Sequence, residues 1–150
     1  MLSLKKKIYQ KCKEHLLEKH KLLQTSIAEI QEAINNETKS SAGDKYETAR
    51  EMLEQDIEVN MVQLTDVQKQ KDILDRIDPD MVANTVVPGA LVKTGNGIYY
   101  IAISIGALKM DGETYYVISA QSPLGMQLMG QKKNALIHFN NKEIKLLDIA

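Results

Sequence analysis

Tryptophan is absent from this chain, which has one phenylalanine, one cysteine and three prolines in 150 residues. A lone Cys12 makes no intramolecular disulfide and anchors no multi-cysteine zinc site, so the usual covalent and metal staples are excluded and a reducing compartment is favoured. No apolar run approaches the roughly 20 residues of a membrane-spanning helix, and no membrane association is expected. The start, Met1-Leu2-Ser3-Leu4-Lys5-Lys6-Lys7, lacks the apolar stretch of a secretory signal, so cytoplasmic residence is expected. Excess positive charge is missing too: 19 basic and 20 acidic residues leave a formal charge of -1, which argues against adhesion to free nucleic acid and sequence-specific reading of it. Aromatic residues make up 5% of the chain, six of them tyrosine, so a large core must be aliphatic. These features suit a partner-binding protein better than an enzyme.

What is present changes abruptly near Pro79. Before it there is no proline, the only glycine is Gly43, and Lys, Glu, Gln, Leu and Ile dominate, as in long helices. After it come the other seven glycines and five of the seven rings. The shift predicts a helical domain over 1–78, a linker over 79–87 and a second domain over 88–150.

Apolar residues in the first part recur at heptad spacing. Tyr9, Leu16, Leu23 and Ile30 form one row, flanked by Ile27 and Ile34; Tyr46, Leu53, Val67 and Leu74 form another, flanked by Ile57 and Leu64. Two such runs around one break predict an antiparallel helical hairpin with coiled-coil packing. The break is expected at Asn35 to Gly43, a cluster of turn formers, which places the hairpin tip at 35–44. Asn60 falls in the Leu53/Val67 row and reads as a polar seam residue that fixes register. Lys5, Lys6, Lys7, Lys11 and Lys13 crowd the base, whereas Glu37, Asp44, Glu47, Glu51 and Glu54 crowd the tip. Such runs are usually solvated faces.

The second part reads as strands at 90–94, 97–104, 113–119, 134–139 and 143–149, short runs rich in β-branched residues and tyrosine. Gly95-Asn96-Gly97, Asp111-Gly112 and Asn140-Asn141 supply turns. Ser122, Pro123 and Gly130 bracket one short helix as N-cap, first residue and terminator. The fold class is therefore α+β: a helical hairpin, then a small antiparallel sheet with one short helix covering it.

Two segments carry a family resemblance. Tyr46-Glu47-Thr48-Ala49-Arg50-Glu51 is similar to Glu-Tyr-x-x-Ala-Arg-Glu, and Ile118-Ser119-Ala120-Gln121-Ser122-Pro123-Leu124, continuing to Leu128-Met129-Gly130-Gln131, is similar to Ile-Ser-x-x-Ser-Pro-Ile followed by Leu-Ile-Gly-Lys. Both patterns belong to the Gre transcript cleavage factors of bacterial transcription elongation, and Pro88-Gly89-Ala90 with Val92 also fits that family. The resemblance implies an FKBP-like second domain that docks at the rim of the RNA polymerase secondary channel, and a coiled coil that enters the channel. It makes Ser122, Pro123 and Leu124 the docking element and Glu37, Lys39, Ala42, Gly43 and Asp44 the channel-inserting tip.

The tip departs from the family pattern. Cleavage-competent members carry Asp-x-x-Glu-Asn before the shared tyrosine, two carboxylates that help hold the polymerase's second magnesium ion and the attacking water. Counting back from Tyr46 puts Lys39 and Ala42 at those positions, and neither ligates a cation. The expectation is a polymerase-binding regulator, monomeric when bound, with no catalytic residues, metal or cofactor of its own and at most indirect contact with the polymerase magnesium. One alternative is a cleavage-stimulating factor that uses shifted carboxylates at Glu37 and Asp44. Another is a coiled-coil adaptor that self-associates through the hairpin.

Other constellations read as structural. Cys12 lies mid-helix and reads as inert; Cys12 and His15, one turn apart, would make half a metal site with no matching half. His138 reads as a surface or packed strand residue. Tyr99-Tyr100 and Tyr115-Tyr116 each put one ring on either sheet face, and the scarcity of rings makes prolyl isomerase activity improbable for an FKBP-like domain.

Overall fold

The fold was determined as a computed structural model that describes residues 1–40 and 44–150, with the side chains of 37–40 and 44–46 outside the description. Two compact units emerge: residues 14–71, and residues 1–13 together with 72–150. Pro79, where composition changes, lies inside the second of these.

The first unit includes α1 (Leu2–Ser40) from residue 14 to its end and α2 (Asp44–Asp75) from its start to residue 71. Good helix formers without an internal Pro or Gly sustain both. The heptad rows face inward: Leu16, Leu23 and Val67 are 4%, 7% and 1% exposed. Ile27, Ile30, Ile34, Leu53, Ile57 and Leu64 are half-buried, as expected where only two helices cover each other. Each fully buried aliphatic side chain contributes about 1.5–3 kcal/mol. In the seam Asn60 Nδ2 donates to Ser26 Oγ at 2.8 Å, a polar pair that matches only one alignment of the helices. The break expected from Asn35 onward does not occur there. Residues 35–40 continue α1, because extending an established helix costs Asn, Thr and Ser only a few tenths of a kcal/mol each, and the hydrogen bond gained offsets it.

The second unit is built on six strands: β1 (Leu91–Thr94), β2 (Gly97–Ala102), β3 (Gly106–Met110), β4 (Glu113–Ser119), β5 (Leu136–Phe139) and β6 (Lys142–Ile149), in the spatial order β3-β4-β2-β1-β6-β5. The sheet is mixed rather than wholly antiparallel. After β2 the chain skips one position to form β3, and β4 returns into the gap, parallel to β2 and antiparallel to β3. Strand β3 has no β-branched residue, so its sequence hides it. Gly106 at φ 84° turns the chain into it, and Asp111 (φ 51°) with Gly112 (φ 78°) makes the tight hairpin into β4.

One sheet face carries the core of Val92, Ile101, Ile137, Ile144 and Leu146 with Val86 and Leu128, against which Leu124 and Met129 pack. Alternation sends Tyr100 and Tyr115 to burial, at 0% and 8% exposure. Tyr99 and Tyr116 are directly paired across β2 and β4, and their rings stack at 5.3 Å. Tyr116 also lies over Gly97, where a Cβ would approach its ring to 3.2 Å.

Candidate docking site

Helix α3 (Pro123–Leu128) is fixed at its first turn. The Ser122 hydroxyl donates to the Ser119 carbonyl at 2.7 Å and accepts from the Gly125 amide at 3.1 Å. Pro123 occupies the start of the helix, where its missing N–H costs nothing. Gly125 lets the helix approach the end of β4: a Cβ there would run into the Ser119 carbonyl oxygen. Gly130, at φ 80°, releases the chain, and its amide donates to the Val86 carbonyl at 2.8 Å.

The three residues assigned to docking thus differ in what they offer. Ser122 is half-buried with its hydroxyl engaged, and Leu124 is half-buried against the core. Pro123 is exposed, as are Gln121 and Gln127, and Met126 is 62% exposed. Met126 and Gln121 escaped sequence reasoning, which weighted the Ser-Pro step. The helical phase of Met126 relative to buried Leu128 is the signal that marks it. Of the tip residues, Glu37, Lys39 and Asp44 belong to the ends of α1 and α2 with side chains outside the described residues, and Ala42 and Gly43 lie outside them entirely.

The lysine run at the start of α1 is not uniformly solvated. Lys5 is fully buried, and its ammonium donates to the Met81 carbonyl at 2.6 Å. Burial pulls its pKa down, opposed by the charge of Asp78. Lys6 pairs with Asp80 at 2.8 Å, so two adjacent lysines hold the segment around Pro79. The Tyr9 hydroxyl donates to the Leu74 carbonyl at 3.3 Å. Burial, then Asp75, Asp78 and Cys12, push the Tyr9 pKa up. Cys12 is fully buried, and burial pushes its thiol up to about 12, which makes it a packing residue rather than a nucleophile. The buried Tyr100 hydroxyl has no partner among the described residues; burial, then Cys12 and Tyr9, raise its pKa.

His138 is exposed on β5. Among the described residues no three His, Cys, Asp or Glu side chains converge on a metal-binding point, and no helix is long and apolar enough to cross a membrane. The chain matches no protein-family model and no curated protein.

Proposed function

We propose that this chain is a Gre-like regulator of bacterial RNA polymerase, acting in the cytoplasm. The sheet unit docks at the secondary-channel rim through the start of α3, and the helical hairpin inserts toward the active site without stimulating cleavage. The observation that carries this reading is the order of parts: a two-helix hairpin, then a sheet whose single helix is capped by Ser122 and opened by Pro123, within the segment that resembles the family. The hairpin stretches of residues 14–40 and 44–71 are each about 40 Å long at 1.5 Å per residue, enough to span a deep channel. Lys39 and Ala42, where the family has carboxylates, support occupancy without hydrolysis.

Retention on immobilised core polymerase tests the docking, and loss of retention in Ser122→Asp or Pro123→Ala variants locates it. A backtracked elongation complex supplied with magnesium tests the absence of cleavage. Prompt 3′-end cleavage that disappears on Glu37→Ala or Asp44→Ala would instead establish the shifted-carboxylate alternative.

One observation favours the self-association reading. Met52, Val59 and Val62 are 62%, 56% and 71% exposed, and steps of about 100° per residue put them on one face of α2. Sedimentation over a range of concentrations, with Val59→Lys as control, tests it.

A further inference from the structure

The six-strand sheet ends on β5, and the outer edge of that strand has no neighbouring strand among the described residues. Which backbone groups face that edge follows from the pairing with β6. Leu136 stands opposite Lys145 and Ile137 opposite Ile144. The Leu146 amide donates to the Ala135 carbonyl at 3.0 Å, and the Asn134 amide donates to the Leu146 carbonyl at 2.8 Å, so the backbone of Ala135 is turned toward β6. Alternation along an antiparallel pair then directs Ile137 and Phe139 toward β6, and the N–H and C=O groups of Leu136 and His138 outward. The hairpin agrees: Asn140 and Asn141, at φ 51° and 62°, form a two-residue turn between Phe139 and Lys142. Among the described residues nothing hydrogen-bonds to the outward groups of Leu136 and His138.

An edge with unpaired donors and acceptors is a template for another strand, and proteins commonly blunt it with lysine or proline. Strand β3, at the opposite edge, carries Lys109. Strand β5 reads Leu-Ile-His-Phe and has neither residue. Its side chains divide by face. Ile137 is 4% exposed and belongs to the core, whereas Leu136 is 58% exposed, with Lys145 directly opposite on β6. His138 is exposed on the same face as Leu136.

The charges around this edge are mostly of one sign. From residue 132 to residue 145 the chain carries four lysines, Lys132, Lys133, Lys142 and Lys145, against one acid, Glu143, which stands opposite His138. Lys133 is loosely paired with Asp148 at 3.9 Å, and the other three make no ion pair among the described residues. Pairing β5 with β5 of a second copy would set like charge against like, which is destabilising. Pairing it with β3 of another copy would meet Lys109 and would leave an open chain of copies rather than a closed assembly. The complement of this edge is a strand that carries carboxylates.

We propose that β5 is a strand-addition site, at which an extended, acidic segment of a partner protein pairs with the free edge and continues the sheet. Backbone groups of the segment bond those of Leu136 and His138. Its side chain beside Leu136 is apolar, and those two residues away on either side, which share that face, are Asp or Glu and answer the surrounding lysines. Main-chain bonds supply the affinity in this mode of recognition, and alternate side chains supply the specificity. The site uses none of the residues assigned to docking and does not depend on the polymerase reading.

The test uses the full chain and a synthetic peptide, acetyl-Thr-Asp-Val-Leu-Val-Asp-Thr-amide, followed by NMR. Saturating peptide is expected to slow hydrogen exchange of the Leu136 and His138 amides about tenfold or more, with a smaller effect on the already paired Ile137 and Phe139 amides. His138→Pro removes an outward donor and spares the ladder to β6; it is expected to weaken binding about tenfold or more. Lys145→Glu, at an exposed position, is expected to weaken binding severalfold and to flatten its salt dependence. The same peptide with lysine in place of both aspartates is expected to bind about tenfold more weakly or worse. Should His138→Pro disturb the strand, Lys145→Glu and the lysine peptide decide the matter. Unchanged exchange at Leu136 and His138 in millimolar peptide overturns the proposal, as does equal binding of the acidic and lysine peptides. Protection of those two amides that rises with protein concentration in the absence of peptide assigns the edge to a second copy and also overturns it.

Discussion

Cys12 is fully buried, and its burial moves the thiol from 9.0 to about 12, which makes the stability of its unit depend on alkaline pH in a calculable way. The folded-state pKa lies above the unfolded one, so the stabilisation is fully present below pH 9 and is lost as pH climbs toward 12. By about pH 10.5 the unfolded chain has released most of this proton and the folded chain almost none. At about 1.4 kcal/mol per pH unit, that amounts to a loss of about 2 kcal/mol relative to pH 8. Tyr9 and Tyr100, whose pKa values are also raised, add slope of the same sign, and Lys5 adds the opposite. Comparison of wild type with Cys12→Ala isolates the thiol, because the other groups remain in both. Part of the Tyr100 shift originates in Cys12, and its removal moves the difference in the same direction. Urea unfolding followed by far-ultraviolet circular dichroism at pH 8, 9, 10 and 10.5 reads the result. Cys12→Ala is expected to start less stable by about 1 kcal/mol from lost packing and to be the flatter of the two with pH. Parallel curves for the two proteins would refute the reasoning, since they would mean that Cys12 ionises as easily folded as unfolded.

Three further outcomes follow from the same geometry. Gly125→Ala drives a methyl group into the Ser119 carbonyl and is expected to cost about 1–3 kcal/mol, read as a lowered thermal midpoint. Replacing the seam pair by Asn60→Leu with Ser26→Ala removes a half-buried polar contact; it is expected to raise stability by about 1 kcal/mol and to broaden the distribution of helix alignments, visible by cysteine cross-linking along the hairpin. Lys5→Met keeps the stem but not the charge. The pKa of Lys5 is depressed, so wild-type stability should gain from this group as pH rises between its folded value and 10.5, and that gain is expected to vanish in the variant under urea unfolding.

Much of the architecture was legible in the chain because it rests on local rules. Leu16, Leu23, Val67 and Leu74 of the heptad rows are buried, and Ser122, Pro123 and Gly130 bound α3 as capping chemistry requires. What escaped depends on distant partners. Strand β3 is Gly106 followed by Ala, Leu, Lys and Met, which favour helix as readily as strand, and it exists because β4 pairs with it. The parallel pairing of β2 and β4 follows from that insertion. Residues 35–40 have the composition of a turn but continue a long helix. Lys5 looks like its solvated neighbours in sequence; only the Met81 carbonyl, 76 positions away, distinguishes it. Helix α3 was readable from its caps, whereas a groove beside it was not, since Ile73, Met81 and Ala120 meet only in the folded unit.

Retention of the purified full chain on bacterial core RNA polymerase tests the central claim most directly, with wild type and Pro123→Ala run side by side. The account expects wild-type retention at micromolar concentration or below, clearly weakened in Pro123→Ala although that variant keeps its fold by circular dichroism. Absence of wild-type retention, together with a concentration-dependent dimer in sedimentation, would contradict it and leave the hairpin as a self-associating coiled coil.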